Sequence, residues 1–115
     1  MEQLNSVILR GISGSARIQT VGQTELVRFS LATNYAYKNR NGDAVIETTW
    51  HQVTAFKSER MPDLTALSKG AGVEVKGRIR NQRYTDANGV EKIVSEIVAS
   101  QLNILDGPPQ MSVGE

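Results

Sequence analysis

The chain has 115 residues, a length that suits one domain, since domains commonly run to roughly 100–200 residues. Hydrophobic residues make up 39% and charged residues 22%, which excludes disordered and collagen-like classes, and the formal charge of +1 excludes a polyanion binder by bulk charge alone. There is no cysteine and one histidine, His51, so a disulfide framework, a thiolate metal site, a cysteine nucleophile and a multi-histidine zinc site all drop out.

Short extended runs dominate the chain. Residues 5–12 read as a first strand stopped by Gly11 and Gly14. Residues 24–34 alternate, with Val27, Phe29 and Leu31 on one face and Arg28 and Ser30 on the other, the pattern of a half-buried strand entered from a turn at Gly22. Asn41-Gly42 predicts a type I′ hairpin turn, in which both central residues take positive φ. A third strand follows over residues 45–56, where period 2 places Trp50 and Phe56 on one face and His51 on the other.

A short helix is predicted over residues 62–69, with Pro62 at its first position, Asp63 against the N-terminal dipole and Lys69-Gly70 closing it. Over 72–84, Val73, Val75 and Ile79 alternate with Glu74, Lys76, Arg78 and Arg80. Counting by twos puts Tyr84 on the cation side unless a bulge shifts the phase. Asp86-Ala87-Asn88-Gly89 turns the chain into a last strand, from about Val90 to Leu105. Residues 106–115, with two prolines and little apolar content, are expected to be a short flexible tail beyond a domain of residues 1–105. Three strands, a helix and two strands fit an all-β OB-fold, a five-stranded Greek-key barrel with a helix between the third and fourth strands. A small sandwich or another barrel fits the same order.

No apolar run approaches the roughly 18 residues of a membrane span, and the N-terminus has no secretory-signal pattern, so a soluble cytoplasmic protein is expected.

Candidate binding chemistry lies in the aromatics and cations. Phe29 reads as core. Tyr37, Trp50, Phe56 and Tyr84 each stand beside polar or cationic neighbours, and rings interleaved with cations suit an unpaired nucleic-acid strand, whose bases stack while Lys and Arg follow the phosphates. Lys76, Arg78, Arg80 and Arg83 place four cations in eight residues with no acid among them. The same residues fit a plainer assignment, with Trp50 and Phe56 inside the barrel and a solvated cationic strand face; against it, the opposite face offers Val45, Val53 and Ala55 as the core. His51 has no serine or acidic partner at a useful spacing, the carboxylates are scattered, and Gly11-x-x-Gly14 and Gly70-x-Gly72 lack the strand-turn-helix setting of phosphate loops. No catalytic site, metal or cofactor is expected.

Residues 4–105 resemble the bacterial-type single-stranded DNA-binding proteins (SSB). The resemblance rests on an ordered series: Asn5-Ser-Val-Ile-Leu-Arg-Gly-Ile, Phe29-Ser-Leu-Ala-Thr-Asn34, Thr48-Thr-Trp-His-Gln-Val53 leading to Phe56, Leu67-Ser-Lys-Gly70, Val73-Glu-Val-Lys-Gly-Arg-Ile-Arg80, Tyr84-Thr-Asp86 and Asn88-Gly89. It implies an OB-fold that assembles, typically as a homotetramer, and protects single-stranded DNA in replication, recombination or repair, associated with the nucleoid. It also implies base stacking on Tyr37, Trp50, Phe56 and Tyr84, phosphate contacts from Lys76, Arg78, Arg80 and Arg83, and a subunit contact at His51 and Asn5. The family's long tail with an acidic, hydrophobic tip has no counterpart in the ten residues after Leu105, so recruitment of replication or repair enzymes through such a tail is not expected. Two rival functions are a primosome accessory subunit acting mainly through protein contacts and an OB-fold nuclease, the latter requiring clustered acids that the sequence lacks.

Overall fold

Alternating apolar residues close the chain into a barrel. The computed structural model describes residues 1–58, 61–63 and 67–114. Its strands are β1 (Val7–Val21), β2 (Thr24–Lys38), β3 (Ala44–Phe56), β4 (Gly72–Thr85), β5 (Glu91–Ile104) and a two-residue β6 (Ser112–Val113). They follow one another across the sheet in the order β1-β4-β5-β3-β2-β6, and a further β1–β2 pairing joins the first five into a ring. All neighbouring pairs in the ring are antiparallel except β3–β5. This is the Greek-key OB barrel expected from the strand order. The predicted helix centres on 64–66, outside the described residues; its flanks, 61–63 and 67–70, are coil and turn.

The interior holds Val27, Phe29 and Leu31 of β2, Val53 and Ala55 of β3, Val73 and Val75 of β4, and Ile97, Ala99 and Leu102 of β5. Each fully buried side chain of the Val, Leu or Phe class stabilises by about 1.5–3 kcal/mol. The β5 set changes from odd to even numbers because of a bulge: Gly77 pairs with Ala99 and Lys76 with Gln101, leaving Ser100 as an extra residue on β5. Both halves of β5 therefore face the core, and β4 keeps its alternation unbroken through Tyr84.

The first strand differs from the expectation. It does not stop at Gly11 or Gly14 but runs on to Val21, bending between Ser13 and Ala16. Before the bend, Val7–Ile12 pair with β4; from Ile12 onward the strand pairs with β2. The two glycines permit close approach rather than a turn. A Cβ at Gly11 would collide with the Ala32 carbonyl, and one at Gly14 would lie 2.5 Å from Ser30 Oγ and 3.3 Å from Trp50 Cζ3.

The β2–β3 and β4–β5 hairpins use the same turn chemistry. Asn39 Oδ1 accepts from the amides of Asn41 and Asp43, and Asp86 Oδ1 accepts from those of Asn88 and Val90. Gly42 and Gly89 take φ of 82° and 79°. Among the described residues no non-glycine residue has positive φ, so Asn41-Gly42 is not the type I′ turn expected; one left-handed glycine ends each loop instead. Near the C-terminus, Ser112 and Val113 pair in parallel with Tyr35 and Ala36, and the Gly114 amide donates to the Ala36 carbonyl at 2.7 Å.

Candidate nucleic-acid interface

In a β-ladder, residues paired across strands project to the same face. The β2–β3 register runs from Leu26↔Phe56 through Ala32↔Trp50 to Lys38↔Ala44. With Val53 and Ala55 inside, Trp50, Gln52, Thr54 and Phe56 stand on the outer face. Trp50 is 59% exposed and Phe56 38% exposed, about 20 Å apart at the usual rise per residue. The edge of the indole lies over Gly14, in the room that the missing side chain leaves. Trp50 is therefore not barrel core.

The same outer face continues across β5 onto β4. Thr54 pairs with Val98, which pairs with Arg78; Arg80 pairs with Glu96 and Tyr84 with Lys92. Arg78, Arg80 and Tyr84 thus share this face, and Tyr84 is 48% exposed. Lys76, two residues before Arg78, is half-buried on the same side of β4. The structure brings together Trp50, Phe56 and Tyr84 with three of the four cations that the sequence singled out.

Two of the named residues lie elsewhere. Tyr37 has the same parity as Phe29 and Leu31, so it sits on the opposite face of β2 from the Trp50 side. Its ring is tilted at 37° against that of Tyr35, with centroids 6.1 Å apart. Arg83 faces away from Tyr84 and lies 3.5 Å from Glu91 on the neighbouring strand, both side chains well exposed.

The cations on the shared face are not equivalent. Arg80 Nε donates to Glu96 Oε1 at 2.8 Å, and Nη2 donates to the same oxygen. The other carboxylate oxygen accepts from the buried Thr54 hydroxyl at 2.9 Å. Glu96 is only 9% exposed, so its charge requires that partner. This triad ties β3, β4 and β5 together across the face, and sequence reasoning missed it: the pairing depends on the β4–β5 register, which no local pattern reveals. Arg78 has no ion-pair partner among the described residues.

On the reverse side of β3, His51 pairs with Leu31, and its Nε2 is hydrogen-bonded to Thr33 Oγ1 at 2.9 Å. Partial burial pushes its imidazole below the ordinary histidine range. Asn5 precedes β1, where its carboxamide donates to the Ile79 carbonyl at 2.7 Å and accepts from the Ile79 amide at 3.0 Å, adding a rung to the edge of β4.

Two outcomes follow from this geometry. Arg80→Ala strands a nearly buried carboxylate and should destabilise the protein by about 2–3 kcal/mol in urea titration. It should lower the salt dependence of binding to an anionic strand less than Arg78→Ala does. For His51, the folded pKa lies below the unfolded one, so the unfolded chain binds the proton first as pH falls. Stability should therefore decline as pH drops through about 6.5, and His51→Gln should flatten that slope between pH 7 and 5.5. Asp86, whose carboxyl is held low chiefly by the Val90 amide, acts in the separate acidic range near and below its ordinary value.

Comparison with known proteins shows the family and supports the fold. Residues 4–105 match the Single-strand binding protein family. The single-stranded DNA-binding protein of Neisseria meningitidis serogroup A is 34% identical over 113 residues, covering 96% of this chain and 65% of that protein. The mitochondrial single-stranded DNA-binding protein of Drosophila melanogaster is 33% identical over 101 residues, covering 86% of this chain and 69% of that one. The chain thus spans about two thirds of the length of these relatives. Among solved structures, the Plasmodium falciparum SSB complex with ssDNA superposes with a TM-score of 0.77 at 26% identity, covering 92% of this chain and 98% of that one. A deletion mutant of the Thermus aquaticus single-stranded DNA binding protein shares the fold, with a TM-score of 0.72 at 20% identity over 90% of this chain and 51% of that one. A closed OB barrel presenting its one tryptophan on the outer face, matched to one family over nearly its whole length, places this chain in the single-strand binding protein family.

Proposed function

We propose that this chain binds single-stranded DNA without sequence preference and keeps it unpaired during replication, recombination or repair, acting as a binding protein without turnover or cofactor. The observation that carries this reading is the outward placement of Trp50. A tryptophan 59% exposed in a small barrel leaves a large apolar surface in water, and Phe56 and Tyr84 extend the same face. Unpaired bases are flat and apolar on both sides, so they cover such rings whatever their identity. Arg78 and Lys76 beside the rings supply charge for the phosphates. Tyr37, at the far end of the β2–β3 arm, serves a strand that wraps around that arm. Arg83, beside Tyr84 but on the reverse side of β4, serves one that passes the hairpin tip.

Stacking is worth about 1–3 kcal/mol per base on alanine substitution, equivalent to roughly 5- to 150-fold in affinity. Trp50→Ala and Tyr84→Ala should each weaken oligo-dT binding by that order while leaving the melting temperature nearly unchanged. If both bind as tightly as wild type, the rings are not the platform.

We further propose that the chain works as a homo-oligomer, a tetramer by likeness to the family. Before the bend, the β1 segment Val7–Gly11 pairs only with β4, leaving its other edge open, and Ile8 on that segment is 58% exposed. Asn5 directly precedes this segment, and it and His51 of β3 belong to the contact by likeness to the family. Light scattering at micromolar concentration should give four times the chain mass, and Ile8→Glu should reduce it. A monomer in wild type contradicts this assembly.

A further inference from the structure

We propose that Arg17 and Arg28 form a phosphate-holding pair that carries the DNA path from Trp50 onto the β1–β2 ribbon; this rests on the single-stranded DNA reading above. The two arginines are directly opposite each other in the antiparallel β1–β2 ladder, between Ala16↔Phe29 and Ile18↔Val27. Since Phe29 and Val27 point inward, both guanidinium groups point outward. Arg28 is also paired with Thr54 on β3, which puts it on the Trp50 face, one strand from the Trp50–Phe56 row, with Arg17 one strand further, at about 5 Å per strand.

Like charges placed directly opposite each other destabilise a sheet, so an unrelieved pair calls for a reason. None of the ion pairs among the described residues includes either arginine, and both are exposed. The one acid in the adjoining groove, Glu96, is already taken by Arg80 and Thr54. Toward the tryptophan, Ser15, Gln19, Ser30 and Gln52 line a shallow groove with both arginines, together with Ala16 and Phe29. A shallow groove that offers neutral polar groups beside Ala16 and Phe29, with two uncompensated, bidentate-capable cations, suits a phosphodiester. Its continuity with the ring face favours the backbone of the same strand over a separate anion.

The test is an Arg17→Gln, Arg28→Gln double variant titrated with oligo-dT at several salt concentrations, beside wild type and an Arg17→Lys, Arg28→Lys double variant. Relieving the like-charge pair should leave the glutamine variant melting at or above wild type. It should bind more weakly at 50 mM salt and lose about 1.4 from the log–log salt slope, at about 0.7 per phosphate contact. Its deficit should therefore shrink about sevenfold by 200 mM salt. The lysine variant should keep the wild-type slope. A glutamine variant with wild-type affinity and slope overturns the pair's role, while failure of wild type to bind oligo-dT overturns the proposed function itself.

Discussion

The placement of the β3 side chains on the candidate binding face, Trp50 and Phe56 above all, depends on the register of the β2–β3 ladder. Side chains alternate between faces, so a slip of one residue would move Trp50 and Phe56 inward and push Val53 and Ala55 into water. That slip is opposed by the buried set on β2, where Val27, Phe29 and Leu31 lie opposite Ala55, Val53 and His51. Burial of these small and medium apolar groups is what forces the indole to the outside. The glycine at position 14 then lets it lie close to β1 instead of standing away from the surface. Core packing and ring exposure are two consequences of one pairing.

Electrostatics on this face is divided between internal and external partners. Arg80 is committed to Glu96, which also holds the buried Thr54 hydroxyl, so its charge contributes to joining three strands. Arg78 and the Arg17–Arg28 pair have no such acid among the described residues. A protein whose formal net charge is only +1 can still present an anion-binding surface when the acids are engaged and the cations on one face are not. In the proposed binding mode the stacking rings carry the larger share of affinity, and the cations set its salt dependence.

Much of this was legible from local pattern. The alternation on β2 and β4 marks their buried faces, and Asn41-Gly42 and Asp86-Ala87-Asn88-Gly89 mark both hairpins, because left-handed glycines in polar turns are local chemistry; the Asn39 cap emerges only in the structure. Apart from the turn type at Asn41-Gly42, what failed was non-local. Glycines in β1 read as stops because their contacts, the Ala32 carbonyl and the Trp50 ring, come from distant parts of the chain. The Arg17 position lay beyond that supposed stop, and the Arg80–Glu96 pair and the Ser100 bulge depend on how β4 meets β5. For Tyr37, resemblance groups it with Trp50, whereas counting by twos from Phe29 puts it on the other face, as the register does.

The central claim, that the indole of residue 50 is open to solvent and ready to cover a base, is tested most directly by its own fluorescence, since Trp50 is the only tryptophan. The free protein should emit at the long wavelengths of a hydrated indole and be quenched readily by acrylamide. Saturating oligo-dT should quench the emission strongly and shield what remains from acrylamide. A short-wavelength emission protected from acrylamide in the free protein, or one that oligo-dT leaves unchanged, would contradict it.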